Sequence, residues 1–346
     1  MSSTTKETRA NIKTARAGES QPATAAMAAN GHEGRPVLAI VIPCLNEELV
    51  IKETVRRLVE VLKNLAASGK VDAASFIYLV DDGSHDRTWE VIEDLHRRDA
   101  IVKGLKLARN VGTQNALLAG LLAVKEHADC VVTIDADLQQ DEAVIETFLE
   151  KYGTGAHIVY GVRLNRADSH LKKATSGFFY NLMRLMGTKI IKHHSEYRLV
   201  SRKAIEAISE YREYNLFLRG IFVDIGYKSV IVPFSVRRRG AGQSKHDFRK
   251  LASLALDGIT SFSVVPLRLV TVAGMLVFLF SVLMTLFYLY HKLKGHTPPG
   301  WAGTIIPIYF LGGVQIMFLG IVGEYIGKIY QEAKARPRFI KDTELF

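Results

Sequence analysis

The sequence predicts an α/β fold with a mainly parallel sheet, followed by a helical hairpin that crosses a membrane, and three observations predict it. Short apolar runs at 37–42, 76–80 and 130–134 alternate with amphipathic stretches, the rhythm of strand–helix–strand units. Each run ends in polar, carboxylate-bearing residues, as expected where a parallel sheet releases its ligand-binding loops from the carboxyl ends of its strands. After about residue 264 the composition turns apolar, and two uncharged lengths follow one another.

The amphipathic stretches read as crossover helices. Residues 47–67 place Val55, Leu58, Val59, Leu62, Leu65 and Ala66 on one face at helical spacing. Residues 113–127 do the same with Leu117, Leu118, Leu121, Leu122 and Val124. The uncharged lengths are 269–290, whose 22 residues would make a helix of roughly 33 Å, and 302–323, which carries Gly312, Gly313 and Gly320 for close helix contact. Basic residues flank this hairpin outside its short loop: Arg237, Arg238, Arg239, Lys245, Arg249, Lys250 and Arg268 before it, Lys328, Lys334, Arg336, Arg338 and Lys341 after it. The loop carries only Lys292 and Lys294, so the large domain and both termini are expected on the cytoplasmic side. The stretch 248–265 has helical apolar spacing and is expected to lie along the interface.

With 346 residues, 48% of them apolar, the chain is long enough for one substantial globular domain plus a small membrane part. Lys and Arg number 45 against 35 Asp and Glu, a net charge of +10 that on its own fits nucleic acid, anionic lipid or phosphorylated substrates alike. The two cysteines, Cys44 and Cys130, border apolar runs and read as small buried hydrophobes rather than a disulfide or metal motif. The first 35 residues lack the apolar stretch of a secretory signal and are expected to form a disordered tail.

Three motifs carry chemistry. At the first strand end, 42–48 reads Ile-Pro-Cys-Leu-Asn-Glu-Glu, with Pro43 expected to stop the strand and Asn46 either facing a ligand or capping the next helix. The second strand ends in Asp81-Asp82-Gly83-Ser84, paired acceptors suited to a base imide and ribose hydroxyls, although Asp82 or Ser84 could equally cap the following helix. No Gly-rich phosphate loop accompanies them, which removes the dinucleotide and P-loop readings. The third strand end carries Asp135-Ala136-Asp137, whose alternation would project two hard oxygen ligands to one side, a fit for Mg²⁺ or Mn²⁺ bridging a nucleotide diphosphate.

Together with Tyr160-Gly161-Val162-Arg163, Glu196-Tyr197-Arg198-Leu199, Phe217-Leu218-Arg219-Gly220 and 239–245 (Arg-Gly-Ala-Gly-Gln-Ser-Lys), these strand ends resemble those of the family-2 inverting glycosyltransferases with a GT-A fold. With the terminal hairpin the chain resembles the polyprenyl-phosphate glycosyltransferases, the group of dolichol-phosphate mannose synthase and the bactoprenol glucosyltransferases, over about 37–340. The resemblance implies that Pro43, Glu47, Asp81 and Asp82 hold the nucleoside, and that Asp135, Asp137 and Gln139 hold the metal and diphosphate. It also implies that Arg198, Arg239, Ser244 and Lys245 meet phosphates, the arginines taking that of the lipid, consistent with the bidentate fit of guanidinium to phosphate. Arg237 and Arg238 read as contacts to lipid headgroups. Where relatives have Asp-x-Gly-Asp-Phe-Arg-Leu, this chain has His193-His194-Ser195-Glu196-Tyr197-Arg198-Leu199, so Glu196 is the one candidate general base, and an ionised phosphate acceptor needs none. His193 and His194 are not read as metal ligands.

The boundaries implied are a tail at 1–35, a GT-A catalytic domain at 36–247, an interfacial segment at 248–266, a transmembrane hairpin at 267–327 and a basic cytoplasmic tail at 328–346. The expected reaction is attack by a polyprenyl phosphate on the anomeric carbon of a nucleotide sugar, UDP-glucose first among donors, at the inner membrane for cell-envelope glycan modification. Asp137, Glu196 and Arg198 are its expected catalytic residues. Membrane lipid is an expected partner, nucleic acid is not, and self-association stays open. Two rivals remain. A processive polysaccharide synthase would carry a Gln-x-x-Arg-Trp pattern, but the tryptophans fall only at 89 and 301. A nucleotide-sugar or lipid-binding protein without catalysis would keep the fold, and the intact Asp135 and Asp137 weigh against it.

Overall fold

The computed structural model describes residues 34–137, 139–164, 194–214, 216–235, 265–294 and 300–346. Of the expectations above, nearly all of the 1–35 tail and the 248–266 segment, together with His193, Arg239, Ser244 and Lys245, lies outside the described residues.

Eight strands form one sheet: β1 (Leu38–Cys44), β2 (Phe76–Asp81), β3 (Val102–Leu107), β4 (Cys130–Thr133), β5 (Ile158–Arg163), β6 (His194–Ser201), β7 (Ser229–Phe234) and β8 (Lys341–Leu345), in the order β7-β5-β6-β4-β1-β2-β3-β8. β1 pairs in parallel with β2 and β4, β2 with β3 and β5 with β7, while β6 runs antiparallel to β4 and β5 and β8 antiparallel to β3. The mainly parallel α/β fold expected from the sequence is therefore present.

Both faces of the centre are covered, so its strands are apolar throughout rather than alternating with polar residues. Leu38, Ile40 and Ile42 of β1 pack on one side with α1 (Ile51–Ala67), α2 (Thr88–Arg98) and α4 (Val144–Gly153) through Leu58, Leu62, Ile92 and Phe148. Ala39 and Val41 point the other way, toward α3 (Thr113–Val124), α5 (Arg202–Ser209) and α6 (Leu218–Asp224), whose Leu117, Leu121, Ile205 and Phe222 complete the second core.

Three local expectations change. Pro43 does not end β1: it pairs with Val80 inside the strand. The missing N–H is harmless there because Val41 faces β4, Pro43 two residues on faces the same way, and β4 has already ended at Thr133. The first helix begins at Ile51 rather than 47, with Val50 at its N-cap and no side-chain cap, so Asn46 is not a capping residue. Residues 341–345, expected in a basic tail, form β8, and Phe346 beyond them stacks against Phe76 and Tyr78, both at 5.8 Å between ring centroids.

The apolar C-terminal part folds as α7 (Val265–Leu293) and α8 (Trp301–Ala333). Among the described residues one stretch, Phe310–Ala333, is long and apolar enough to cross a membrane, and Val270–Met284 is a shorter apolar stretch.

Gly120 on α3 lets that helix sit directly on the sheet, since an added Cβ would lie 2.5 Å from Val41 Cγ1 and 2.8 Å from Val80 Cγ2. Neither valine can swing aside within a buried β-strand. Gly120→Ala is expected to destabilise the fold by about 1–3 kcal/mol through overpacking, measured by denaturant unfolding; an unchanged midpoint would show that α3 has room to lift.

Candidate functional site

The carboxyl ends of β1, β2 and β4 open on the same edge of the sheet, and the loops leaving them are stitched together. Asn46 adopts φ 57°, its N–H donates to Ser84 Oγ at 3.0 Å, and its carboxamide oxygen accepts from His85 N–H at 2.9 Å. Glu47 N–H donates to Thr88 Oγ1 at 2.9 Å, and the Glu48 carboxylate accepts from Arg87 N–H at 3.0 Å. The first two motifs thus form one unit, with Asn46 and Ser84 bracing each other instead of capping helices.

Asp81 and Asp82, both buried, are held differently. The Asp82 carboxylate accepts from Val111 N–H at 2.8 Å and Gly112 N–H at 3.0 Å, which ties down the loop after β3. Gly83 makes that approach feasible: its φ is +66°, and a Cβ would meet Arg109 and Asn110 backbone at 2.6 Å. Asp81 accepts from Ser84 N–H at 3.3 Å through one oxygen, while its Oδ2 has no partner among the described residues. Burial raises both carboxyls above the ordinary range against the hydrogen bonds that oppose it. Burial, with Asp81 and Glu47 adding repulsion, also pushes the Cys44 thiol well up, so this cysteine is an inert packing residue.

At the third strand end, the Asp135 N–H donates to Gln140 Oε1 at 3.2 Å and the Gln140 amide donates to the Asp135 carboxylate. Gln140 is therefore the glutamine on Asp135, while Gln139 gives its backbone N–H to Asp137 at 3.2 Å. Thr54 of α1 donates to Ala136 O at 2.7 Å and clamps this turn from below. Burial raises the Asp135 carboxyl, with repulsion from Glu196 and Asp137 adding to it, while the Gln140 hydrogen bond and, less, Arg163 oppose the shift.

Glu196 enters from β6, where Thr133 pairs with Arg198. Its carboxylate is gripped by two guanidiniums: Arg198 Nη2 on one oxygen and Arg219 Nε, from α6, on the other at 2.7 Å. Arg198 is only 1% exposed and lies over the Phe222 ring at 4.4 Å. Its Nε and Nη1, and Arg163 Nε, have no partner among the described residues. Burial lowers the Arg198 pKa against the pull of Glu196. The structure thus brings Pro43, Glu47, Asp81, Asp82, Asp135, Asp137, Glu196 and Arg198 to one edge of the sheet. The sequence reading missed the 109–112 loop, Gln140, Arg163 as a neighbour of Asp135, and Arg219 as a partner of Glu196. Only the glycine pair Gly83 and Gly112, each at positive φ, offered a signal for that loop.

The donor set fits a divalent cation of the Mg²⁺ or Mn²⁺ type. No group of three or more His, Cys, Asp or Glu able to hold a metal occurs among the described residues. Such ions, however, bind through one or two carboxylates with substrate phosphates and water completing the shell. Asp135, half-buried near Asp137 and Glu196 with its carboxyl raised, is a site where added positive charge is favourable.

Residues 39–209 match the family described as Glycosyl transferase family 2. A protein of Bacillus subtilis (strain 168) described as the uncharacterized glycosyltransferase YkoT is 47% identical over 315 residues, 91% of this chain and 94% of its own length. The chain belongs to glycosyl transferase family 2. Other relatives in the family include the bactoprenol glucosyl transferase of Shigella phage SfV, 38% identical over 89% of this chain and 98% of its own. The prophage bactoprenol glucosyl transferase homolog of Escherichia coli (strain K12) is 37% identical over 88% and 97%. Among solved structures, glucosyl-3-phosphoglycerate synthase from Mycobacterium tuberculosis with Mn²⁺, UDP and phosphoglyceric acid is similar at TM-score 0.44 and 20% identity, over 71% of this chain and 82% of that one.

Because the folded state raises the Asp81 carboxyl, the folded chain holds that proton more tightly than the unfolded chain. Ionisation therefore costs stability above the folded pKa and costs none below the unfolded value of about 4. Asp81→Asn keeps an acceptor for Ser84 N–H and is expected to unfold at a higher temperature than the parent at about pH 7, the gap closing near pH 3. Equal melting temperatures at neutral pH would show that the unpartnered oxygen is compensated.

Proposed function

We propose that this family-2 enzyme transfers a sugar from a nucleotide sugar, UDP-glucose first among donors, to a polyprenyl phosphate at a membrane surface, inverting the anomeric configuration. The observation that carries the proposal is that one sheet contains both the strand ends bearing Asp81, Asp135 and Glu196 and the strand β8 that follows the long apolar helices. A site built for a nucleoside diphosphate is thereby tied to a membrane-length helix. The named activity of the bactoprenol glucosyl transferase relatives, matched over nearly their whole length, supports the same acceptor and a glucosyl group.

In this reading Pro43, Glu47, Asp81 and Asp82 form the nucleoside end of the site, Asp82 through the 109–112 loop it holds and Asp81 through its unpartnered oxygen. Asp135 and Asp137 would hold Mg²⁺ or Mn²⁺, which stabilises charge on the departing diphosphate. Glu196, engaged by two arginines, orients Arg219 and Arg198 rather than taking a proton, and a phosphate acceptor arrives already ionised. Arg198 supplies buried positive charge beneath the site, and Arg239, Ser244 and Lys245 are assigned to the lipid phosphate. Attack by the phosphate oxygen forms the new C–O bond as the bond to the nucleoside diphosphate breaks, and the diphosphate leaves with the electron pair.

Connectivity supports a reading with two crossings, by α7 and α8. The chain leaves the catalytic domain before Val265 and is back in the same sheet at Lys341, so the segment between crosses a bilayer an even number of times. In this reading α7 is the partner crossing to α8, and the basic residues flanking the pair favour the cytoplasmic side for the 36–247 domain and the C-terminus.

Asp137→Asn is expected to lower transfer by about two orders of magnitude or more while leaving thermal unfolding without ligand unchanged. Product formation from UDP-glucose and undecaprenyl phosphate, with and without excess chelator, measures it, and full activity of the parent in chelator would remove the metal from the reaction. A tag inserted at 295–299 is expected to be labelled only from the face opposite the catalytic domain; labelling from the same face would overturn the two crossings.

A further inference from the structure

The end of α8 is fastened to the segment that leads into α6. Tyr214 N–H donates to both oxygens of Glu332, at 2.8 Å each, and Arg338, five residues beyond α8, donates to Tyr211 O at 2.6 Å. The Tyr211 hydroxyl donates to Asp224 at the far end of α6 at 3.2 Å, so Tyr211 is tied directly to that helix. Phe339 is partly buried against the same core cluster as Tyr211, Leu216 and Val223, and Ala108 N–H donates to Ile340 O at 3.0 Å, which anchors the chain leaving α8.

Helix α6 in turn reaches the candidate site. Arg219 of α6 donates to Glu196 at 2.7 Å, Phe222 lies beneath Arg198, and Leu218 N–H donates to Gln114 at the start of α3 at 2.9 Å. A continuous chain of contacts therefore runs from the apolar helix through Glu332, the 211–214 backbone and α6 to the carboxylate beside Asp135. The junction is acidic: Glu213 is half-buried near Glu332 and Asp224, with Arg338 as the compensating cation. Arg338 offsets the repulsion that Glu332 adds to Glu213, while Asp224 is held by the Tyr211 hydroxyl.

We propose that Glu332 is a positioning residue that sets Arg219, and through it Glu196, according to where α8 sits, so that the site is aligned for an acceptor presented at the membrane. This inference rests on the proposed transfer to a lipid phosphate. Holding α6 in register from the end of a membrane-length helix sets the height of the site relative to the bilayer. A lipid phosphate, tethered by its tail, has little freedom to correct a misplaced site, whereas a short soluble acceptor can approach from any height. Misplacements of about an ångström at a distance from the chemistry cost roughly ten- to a hundredfold.

The test uses the full chain in lipid nanodiscs, with UDP-glucose as donor and two acceptors, bilayer-embedded undecaprenyl phosphate and water-soluble geranyl phosphate. Glu332→Gln is expected to lower kcat with undecaprenyl phosphate by about tenfold or more, to leave kcat with geranyl phosphate and the KM for UDP-glucose within about twofold of the parent, and to speed hydrogen exchange at residues 211–224. An equal fall on both acceptors would mark Glu332 as a structural staple, and unchanged exchange would break the mechanical link; either overturns the proposal. A parent protein inactive on both phosphates would overturn the transfer reading itself, and the positioning role with it. The two failures are distinguishable because in that case parent and variant fail alike.

Discussion

Carboxylates taken out of water at the end of a parallel sheet are the constraint on which the rest of this structure depends. A buried carboxylate needs donors or a cation, and each acid here meets that need to a different degree. Asp82 is satisfied by two backbone N–H groups and so organises the neighbouring loop. Among the described residues Asp135 is met by the Gln140 amide and an arginine at longer range, and Asp81 keeps one oxygen without a partner. The fold completes Asp82 and leaves Asp81 and Asp135 less fully satisfied among the described residues. That gradient, more than the number of acids, separates a scaffold residue from a ligand-facing one.

The cations answer the same constraint from below. Arg198 is buried with two nitrogens that have no partner among the described residues, which would be costly without the Glu196 carboxylate and the Phe222 face beside it. Glu196 in turn is divided between Arg198 and Arg219. A carboxylate engaged on both oxygens by guanidiniums is a weak proton acceptor, since protonation would disrupt both contacts. The arrangement suits chemistry whose nucleophile is already ionised, and it turns the longer Glu at this position from an apparent departure into a bridge between β6 and α6.

How much of this the sequence could reveal depended on which physical signal each element carries. The central strands β1, β2 and β4 were legible because burial on both faces makes them uninterrupted apolar runs, and their acids were legible because polar residues directly after such runs have few other roles. β3 and β8 were not. Val102–Leu107 carries Lys103 and Lys106, and Lys341–Leu345 is charged and exposed, since β3 lies one strand from the edge and β8 is the edge. Their stabilisation comes from contacts between residues far apart in the chain, such as Lys103 over the Phe346 ring at 3.7 Å, which no local pattern announces. Asn46 misled for a related reason: a residue suited to capping is equally suited to positive φ, and only the partner loop decides between them. Gln139 and Gln140 are chemically identical, and the turn alone determines which one faces Asp135.

The edge strand β8 has a consequence larger than its five residues suggest. A chain that leaves a domain, passes through a long apolar helix and then re-enters the same sheet has closed a loop, and a closed loop can thread a bilayer only in pairs of crossings. Charge asymmetry around the helices favours an orientation, but flanking charges act as a bias and can be outweighed. Strand pairing in a folded sheet is a stricter condition, because β8 must be on the side where β3 folds. The charged, exposed sequence of β8 fits this role: it completes the sheet while discouraging further strands from adding to the edge. In the proposed two-crossing topology, the return of the chain to its starting side is held by the backbone hydrogen bonds between β3 and β8 and by Tyr78 donating to Glu344 at 2.5 Å.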